Sequence, residues 1–267
     1  MSDSRARNHL MKSEADYWRN FWNEQARHSG SDYALNRRTN VRLEELEQRA
    51  LQQFLEAVAP HSSDVVLDAG CGSGRNVSVL SPLVGSVIGM DYSEQMIERA
   101  KERVAVEKLS NVTLIQGDVT SLQFSDNTFD KVICASVLQY LDDAECAQAL
   151  HEMVRVCKPG GRLILHVKNG TSLYGFSLKL LRPIARFMAK RMKPEFYRSR
   201  AWHERALTRE ATRILGHDGF GIFTFVPLPQ RVVSRLLQWE LRCGGPRFLK
   251  RFAVNYKVTA LVEKSRG

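Results

Sequence analysis

Residues 65–74 read VVLDAGCGSG. The apolar start of this segment predicts a short buried strand, and the closely spaced glycines predict a sharp turn that leads into a helix. Backbone N–H groups at the start of such a helix lack intrahelical partners and are suited to an anionic group. The segment therefore predicts a ligand site at the end of a strand, and an incidental tight turn is the alternative.

Strands alternate with helices on both sides of this turn. The predicted strands are 65–70, 86–91, 111–118, 129–136 and 162–168, and the predicted helices are 11–30, 41–59, 75–84, 93–108 and 142–157. This alternation is typical of an α/β fold, with a parallel sheet that carries helices on both faces.

The pattern changes after residue 170. Residues 202–220 predict a helix closed by glycine, and the last strands are expected at 220–226 and 255–263, with basic helical sequence at 230–251 between them. Strands that come so late and are joined by a long connection predict an antiparallel pair at the edge of the sheet.

The glycine spacing separates two nucleotide-binding interpretations. A dinucleotide fold requires G-x-G-x-x-G, in which the third glycine packs the helix on the strand. Here the glycines are Gly70, Gly72 and Gly74, and Arg75 occupies the position of the third glycine. A nicotinamide oxidoreductase is therefore the least favoured of the enzyme classes considered.

Two carboxylates follow the next two predicted strands. Asp91 ends the second strand, where a carboxylate at the tip faces the ligand crevice and can accept hydrogen bonds from a ribose diol. Asp118 follows the third strand, where it can accept the exocyclic amine of an adenine. The alternatives are a helix cap for Asp91 and a turn aspartate for Asp118.

Together these segments resemble the class I S-adenosylmethionine-dependent methyltransferases, and most of all the small-molecule group that includes the quinone-biosynthesis methyltransferases. The resembling segments are VVLDAGCGSGRN (65–76), IGMDYSEQMIERAK (88–101), LIQGDV (114–119), FDKVICASVLQYLDD (129–143) and EMVRVCKPGGRLIL (152–165). The resemblance implies a Rossmann-like, seven-stranded methyltransferase sheet in the order 3-2-1-4-5-7-6, with strand seven antiparallel and helices on both faces.

The resemblance also implies a domain organisation. Residues 1–60 are expected to form helices that cover the cofactor site, and residues 61–170 to form the S-adenosylmethionine-binding core. Residues 171–205 are expected to form a basic amphipathic cap after strand five. Residues 206–267 would complete the core sheet and carry a helical insertion.

The resemblance assigns cofactor-binding roles along these motifs. The glycine turn would bind the methionine and ribose end of the cofactor, and the tip of strand two would bind the ribose hydroxyls. The residues that flank this tip and the tip of strand three would bind the adenine. The loop after strand four would lie near the reactive methyl. The residues are Asp68, Gly70, Cys71, Gly72, Gly74, Asp91, Tyr92, Met96, Asp118, Val119, Ser136 and Gln139. The implied cofactor is S-adenosyl-L-methionine, with S-adenosyl-L-homocysteine as product and no metal.

Two side chains are candidate catalytic residues. His166 lies in the fifth strand, where it faces the acceptor if it reaches the C-terminal edge of the sheet; the alternative is a histidine satisfied within the sheet. Tyr140 lies in the loop after strand four, where many relatives carry a histidine that this chain lacks. An oxygen acceptor gains from a general base, whereas the activated methyl requires mainly an oriented acceptor.

The composition places the chain among globular proteins. It has 267 residues, of which 43% are hydrophobic, and no window has 18 uninterrupted apolar residues, so a membrane-spanning helix is not expected. The N-terminal sequence has no basic start followed by an apolar stretch, so no secretory signal is expected. The five cysteines form no C-x-x-C pair, which argues against a disulfide framework and a zinc site and favours the cytoplasm.

The net charge of +10 is unevenly distributed. Residues 158–267 carry 23 Lys and Arg against 6 Asp and Glu, whereas residues 1–157 carry an acidic excess. Residues 172–193 set apolar side chains opposite basic ones. They are interpreted as a surface helix packed on the sheet, as a membrane-surface helix on the inner face of the membrane, or as a site for an anionic acceptor.

The predicted function is methyl transfer to a small or lipid-linked acceptor, at oxygen. RNA methylation is an alternative because the C-terminal half is basic, but the loop Ala135–Tyr140 lacks an amine-directed signature. A cofactor-binding protein without transfer activity is the second alternative.

Overall fold

The computed structural model describes residues 17–27, 54–172, 195–210, 212–220 and 255–263, together with positions 232, 235, 236, 239 and 253. Most of the predicted basic cap, the predicted helical sequence at 230–251 and most of the N-terminal region up to residue 53 lie outside these residues. The membrane-surface, anionic-acceptor and RNA interpretations of residues 172–193 therefore stay predictions.

Helices and strands alternate through the described chain. The helices are α1 (17–27), α2 (54–58), α3 (Arg75–Leu80), α4 (Glu94–Val106), α5 (Asp143–Val156) and α6 (Arg200–Arg209). The strands are β1 (Val65–Ala69), β2 (Ser86–Asp91), β3 (Val112–Gln116), β4 (Phe129–Ala135), β5 (Cys157–Lys168), β6 (Thr212–Phe220) and β7 (Asn255–Val262).

The strands form one seven-stranded sheet in the order β3-β2-β1-β4-β5-β7-β6. Strands β1 to β5 pair in parallel, and β7 runs antiparallel to both β5 and β6. The predicted fold and the antiparallel position of strand seven are confirmed. In this order the carboxyl ends of β1, β2 and β4 lie at one edge, which is where open α/β sheets bind ligands.

Both faces of the sheet are buried. On one face Leu67, Leu163 and Leu165 pack with Leu150 and Met153 of α5. On the other, side chains of the same strands pack with α2, α3 and α4; these include Val66, Ile133, Ile164, Val58, Val77, Leu80 and Ile97. Burial on both faces explains why the strands are continuous apolar runs, and it fixes the carboxyl edge as the place for polar side chains.

The predicted helix at 202–220 is wrong in its second half. Helix α6 ends at Arg209, and Thr212–Phe220 form β6, which pairs with β7 from Thr212↔Val262 to Phe220↔Asn255. The apolar spacing of 206–215 fits a helix, but pairing with β7 supplies a backbone ladder that the local pattern does not reveal. The predicted strand at 220–226 therefore begins eight residues earlier, and residues 221–226 lie outside the described chain.

Within the described residues, no helix is long and apolar enough to cross a membrane. The four described cysteines, Cys71, Cys134, Cys146 and Cys157, are all buried. The fifth, Cys243, lies outside the described chain.

Candidate functional site

The glycine turn after β1 takes backbone conformations that favour glycine. Gly70, Gly72 and Gly74 have φ values of 84°, 53° and 81°. The N–H groups of Gly70 and Cys71 both donate to Met90 O, at 2.7 and 2.8 Å, which folds the turn onto β2. A Cβ on Gly70 would overlap the Val137 side chain, whereas a Cβ on Gly72 would meet no atom of the described residues within 4 Å. The turn is therefore tightly packed at Gly70 and open at Gly72.

The carboxylate of Asp91 stands beside this open position. Its Oδ2 accepts the N–H of Gly72 at 2.9 Å, and its Oδ1 accepts the N–H of Ser93 at 2.8 Å. Burial raises the pKa of Asp91, and the two amide hydrogen bonds oppose that rise. The alternative role of Asp91 as the cap of α4 does not hold, because the Ser93 hydroxyl caps that helix by accepting Met96 N–H at 3.1 Å.

Asp68, the second acidic group, lies one strand away and is fully buried. Its Oδ1 accepts the Asn76 amide at 3.4 Å, whereas its Oδ2 is buried and has no hydrogen-bond partner among the described residues. Burial raises the pKa of Asp68 to about 7, and the nearby Asp91 carboxylate adds to the rise. A buried acceptor without a donor costs free energy, so this oxygen is suited to a donor that a ligand brings.

The residues assigned to the adenine lie on the far side of Asp91. Met96 and Val119 are buried at 3% and 7% exposure, and Gly117 N–H donates to Asp91 O at 3.0 Å, which joins the tips of β3 and β2. Asp118 Oδ1 accepts both the N–H and the hydroxyl of Thr120, at 2.8 and 2.7 Å. That oxygen therefore shapes the turn, as the alternative interpretation expects, and Oδ2 remains the candidate for an adenine amine.

Helix α1 lies across the cofactor side of the site. Asn23 Oδ1 accepts the Ser93 hydroxyl at 2.6 Å, and the guanidinium of Arg19 lies over the Tyr92 ring at 5.3 Å. Sequence analysis missed both residues, because neither stands out within an amphipathic helix. Only the spatial neighbourhood of Ser93 and Tyr92 reveals them.

The same helix contacts the loop after β4. The ring of Trp18 lies 4.5 Å from the ring of Tyr140, and the ring of Trp22 lies 5.6 Å from it. Helix α1 thus contacts both Ser93 at the start of α4 and Tyr140 in the loop after β4.

The loop after β4 carries three of the predicted site residues. Ser136 has a φ of 61°, is exposed, and donates its N–H to His166 O at 2.8 Å. Gln139 is 3% exposed, and its Oε1 has no hydrogen-bond partner in the described part of the chain. Burial raises the pKa of Tyr140 well above its usual value, which disfavours a phenolate and therefore its use as a base.

His166 reaches the carboxyl edge of the sheet. It pairs with Ala135, the last residue of β4, and with Lys257 of β7. Burial, together with the smaller effect of the ammonium groups of Lys257 and Lys168, lowers the pKa of His166 to about 4. The imidazole is thus neutral at physiological pH, and it is a weak base.

The donor set fits S-adenosylmethionine at the cofactor side. Asp68 supplies a buried carboxylate and Asp91 a half-buried one. Within the described chain, Asp68 Oδ2 lacks a donor and Gly72 leaves open space above the turn. Acidic groups in such a place suit a ligand with a cationic group and hydroxyls. Among the described residues, no group of three or more His, Cys, Asp or Glu side chains is arranged to hold a metal ion.

The comparison with protein families places residues 66–161 in the family described as "Methyltransferase domain". Among curated proteins, a demethylmenaquinone methyltransferase of Shouchella clausii is 40% identical over 128 residues, which are 45% of this chain and 54% of that protein. The demethylmenaquinone methyltransferase of Staphylococcus aureus strain MRSA252 is 37% identical over 139 residues, 49% of this chain and 56% of that protein. The chain thus spans about half the length of these relatives.

Solved structures share the fold. The YcgJ protein of Bacillus subtilis aligns over 82% of this chain and all of that chain, with 16% identity and a TM-score of 0.59. Phosphoethanolamine N-methyltransferase 1 of Haemonchus contortus, solved with phosphoethanolamine and S-adenosylhomocysteine, aligns over 96% of this chain and 50% of that chain, with 17% identity and a TM-score of 0.65. The resemblance to class I methyltransferases related to the quinone-biosynthesis group is confirmed.

Proposed function

Since residues 66–161 carry a methyltransferase domain, we propose that this protein transfers a methyl group from S-adenosylmethionine to a small or lipid-linked acceptor, at an oxygen that ionises readily. The observation that carries the proposal is the pair of carboxylates set around the open glycine turn, buried Asp68 and half-buried Asp91. When bound, S-adenosylmethionine supplies a methyl group on a positively charged sulfur, which is open to in-line displacement.

The cofactor side of the site binds and orients. Asp91 is held by two backbone N–H groups, so its remaining lone pairs point to fixed places for ribose hydroxyls. Asp68 Oδ2 accepts a donor from the methionine end, because nothing in the described structure donates to it. Helix α1, anchored by Asn23 to Ser93, lies against the cofactor side of the site and helps to exclude water.

On the acceptor side, the residues favour an aromatic molecule. The ring of Tyr140, which follows Gln139 in the loop after β4, contacts the rings of Trp18 and Trp22. Ring faces of this kind pack against planar apolar molecules, and Gln139 Oε1 offers an acceptor to a hydroxyl. This arrangement supports a phenolic acceptor.

The low pKa of His166, the candidate base, limits which acceptor atoms can be methylated. Neutral His166 accepts a proton only from an acidic group, since its own pKa is about 4. The ammonium groups of Lys168 and Lys257, which lower the pKa of His166, also favour a phenolate over a phenol. A phenolate is nucleophilic at oxygen and at the ring carbon beside it, so transfer to carbon is the second candidate. It is supported by the names of the demethylmenaquinone methyltransferase relatives.

The test combines binding with transfer. We expect S-adenosylhomocysteine to bind the purified protein in calorimetry, and label from methyl-labelled S-adenosylmethionine to enter an organic-soluble product in an extract of the source organism. Alkali-labile label would indicate a methyl ester, and label resistant to hydrolysis and ether cleavage would indicate transfer to carbon. Binding without transfer to any fraction would favour the cofactor-binding alternative, and nuclease-sensitive label would favour RNA.

A further inference from the structure

The chain returns to the site at residues 195–198, next to the loop after β4. Phe196 N–H donates to Gln139 O at 2.7 Å, and Arg198 pairs with Asn169, just beyond the end of β5. Gly170 N–H donates to Arg198 O at 2.9 Å. A Cβ on Gly170 would overlap the backbone of Tyr197. The returning segment is therefore seated closely on the carboxyl edge of the sheet.

The guanidinium of Arg198 enters this edge and spans the loop after β4. Its Nη1 donates to Leu138 O at 2.9 Å and its Nη2 donates to Leu141 O at 2.7 Å. Its Nε donates to Asp143 Oδ1 at 2.7 Å, and the Trp202 ring lies 4.8 Å from its central carbon. Arg198 is 6% exposed, so its three hydrogen bonds satisfy a buried cation.

The carbonyls of Leu138 and Leu141 lie on either side of two residues of the candidate site. Gln139 and Tyr140 lie between Leu138 and Leu141, and Gln139 is additionally fixed by Phe196. A planar guanidinium bound to both ends of such a loop fixes their separation, because its donors have a rigid geometry. The loop has little regular structure of its own, with one short 3-10 turn at Leu138–Tyr140.

We propose that Arg198 is a positioning residue for methyl transfer, which holds Gln139 and Tyr140 in place by clamping the carbonyls of Leu138 and Leu141. The inference rests on the proposed function, because positioning has meaning only for the transfer reaction. It assigns no contact with substrate to Arg198 itself. The bond to Asp143 is secondary, since the Asp143 side chain is 76% exposed and such an ion pair contributes little.

The first arm of the test is hydrogen exchange, which requires no substrate. In Arg198→Met we expect amides of residues 136–142 to exchange about tenfold faster or more, since two hydrogen bonds to buried carbonyls are lost. Amides of β1 and β2 should exchange as in the unchanged protein. The matched control is Arg200→Met, which removes an arginine two residues away whose side chain is 40% exposed and pairs with Glu204. Unchanged exchange in residues 136–142 would overturn the proposal.

The second arm separates positioning from a general effect on folding. We expect Arg198→Met to lower the rate of label transfer into the extract's product by about tenfold or more, while the affinity for S-adenosylhomocysteine changes by less than about threefold. Arg198→Lys, which keeps the charge but not the rigid fork, should restore folding and only part of the transfer rate. Asp143→Asn should retain both the fold and the transfer rate of the unchanged protein.

The outcomes distinguish the two proposals. Failure of the unchanged protein to bind S-adenosylhomocysteine would reject the proposed function, whereas the exchange experiment still reports whether Arg198 holds the loop. Faster exchange of the loop with undiminished transfer would overturn the positioning role. If Arg198→Met does not fold, Arg198→Lys carries both arms with the same expected directions.

Discussion

Gly72 N–H donates to Asp91 Oδ2 across 2.9 Å, so one direct hydrogen bond joins the glycine turn after β1 to the carboxylate at the tip of β2. The two residues are 19 positions apart in sequence, and the parallel pairing of β1 with β2 brings them together. The bond holds the half-buried carboxylate of Asp91 against the open side of the turn. The account of the cofactor side begins from this relationship.

Asp91→Ala removes this oriented acceptor. We expect the affinity for S-adenosylhomocysteine to fall by about 1–3 kcal/mol, as for other lost buried acceptors, which is roughly 5- to 150-fold. Calorimetry measures this loss of affinity. Asp126→Ala is the matched control, because Asp126 is a 66% exposed carboxylate paired with Arg155. Equal affinities for the two variants would contradict the role of Asp91.

Open space at Gly72 makes a paired substitution informative. Gly72 and Gly160 both have positive φ, 53° and 79°, and in the part of the chain that the structure describes neither would place a Cβ within 4 Å of another atom. Alanine at either position should cost about 1–2 kcal/mol of stability, the usual cost of left-handed backbone. We expect only Gly72→Ala to weaken ligand binding as well, because its Cβ would occupy the site. Similar ligand affinities in the two variants would show that the turn is not where the ligand lies.

Ligand affinity should depend on pH through Asp68. Its pKa of about 7 lies above the ordinary value, so the free folded protein retains a proton on Asp68 to higher pH than the unfolded chain does. Stability should therefore fall as pH rises from about 4 to about 7. A ligand that donates to the carboxylate favours its ionised form, so affinity should rise as pH increases through 7. Asp68→Asn should remove this dependence in calorimetric titrations, and its persistence in that variant would assign it elsewhere.

The candidate bases respond differently to substitution. We expect His166→Asn to lower the transfer rate by less than the roughly 10²- to 10⁴-fold that an efficient general base contributes, because a pKa of about 4 makes His166 a weak base. The affinity for S-adenosylhomocysteine should be unchanged. Tyr140→Phe keeps the ring contacts with Trp18 and should have a smaller effect, because burial raises the pKa of Tyr140 and disfavours its ionised form. With His166 neutral above pH about 4, its titration should not alter the rate between pH 6 and 8. A larger loss of transfer rate in Tyr140→Phe than in His166→Asn would make Tyr140, and not His166, the base.

The parts of the structure that local patterns specify were predictable. The glycine turn, the carboxylates at the tips of β2 and β3, and the strand order implied by the resemblance all depend on short segments. Strand β6 was not predictable, because its pairing with β7 joins Thr212 to Val262 across 50 residues. Asn23 and Arg198 were missed for the same physical reason: each acts through a partner far away in sequence, Ser93 and the carbonyls of Leu138 and Leu141.

The central claim is that this chain transfers a methyl group to an organic-soluble acceptor. The most direct measurement incubates methyl-labelled S-adenosylmethionine with an extract of the source organism and either the unchanged protein or Asp91→Ala, followed by partition between organic and aqueous phases. The account predicts that label enters the organic phase only when the unchanged protein is present. At limiting cofactor, the amount of label in that phase should be at least severalfold lower with Asp91→Ala. Label confined to a nuclease-sensitive aqueous fraction, or equal labelling with and without the protein, would contradict it.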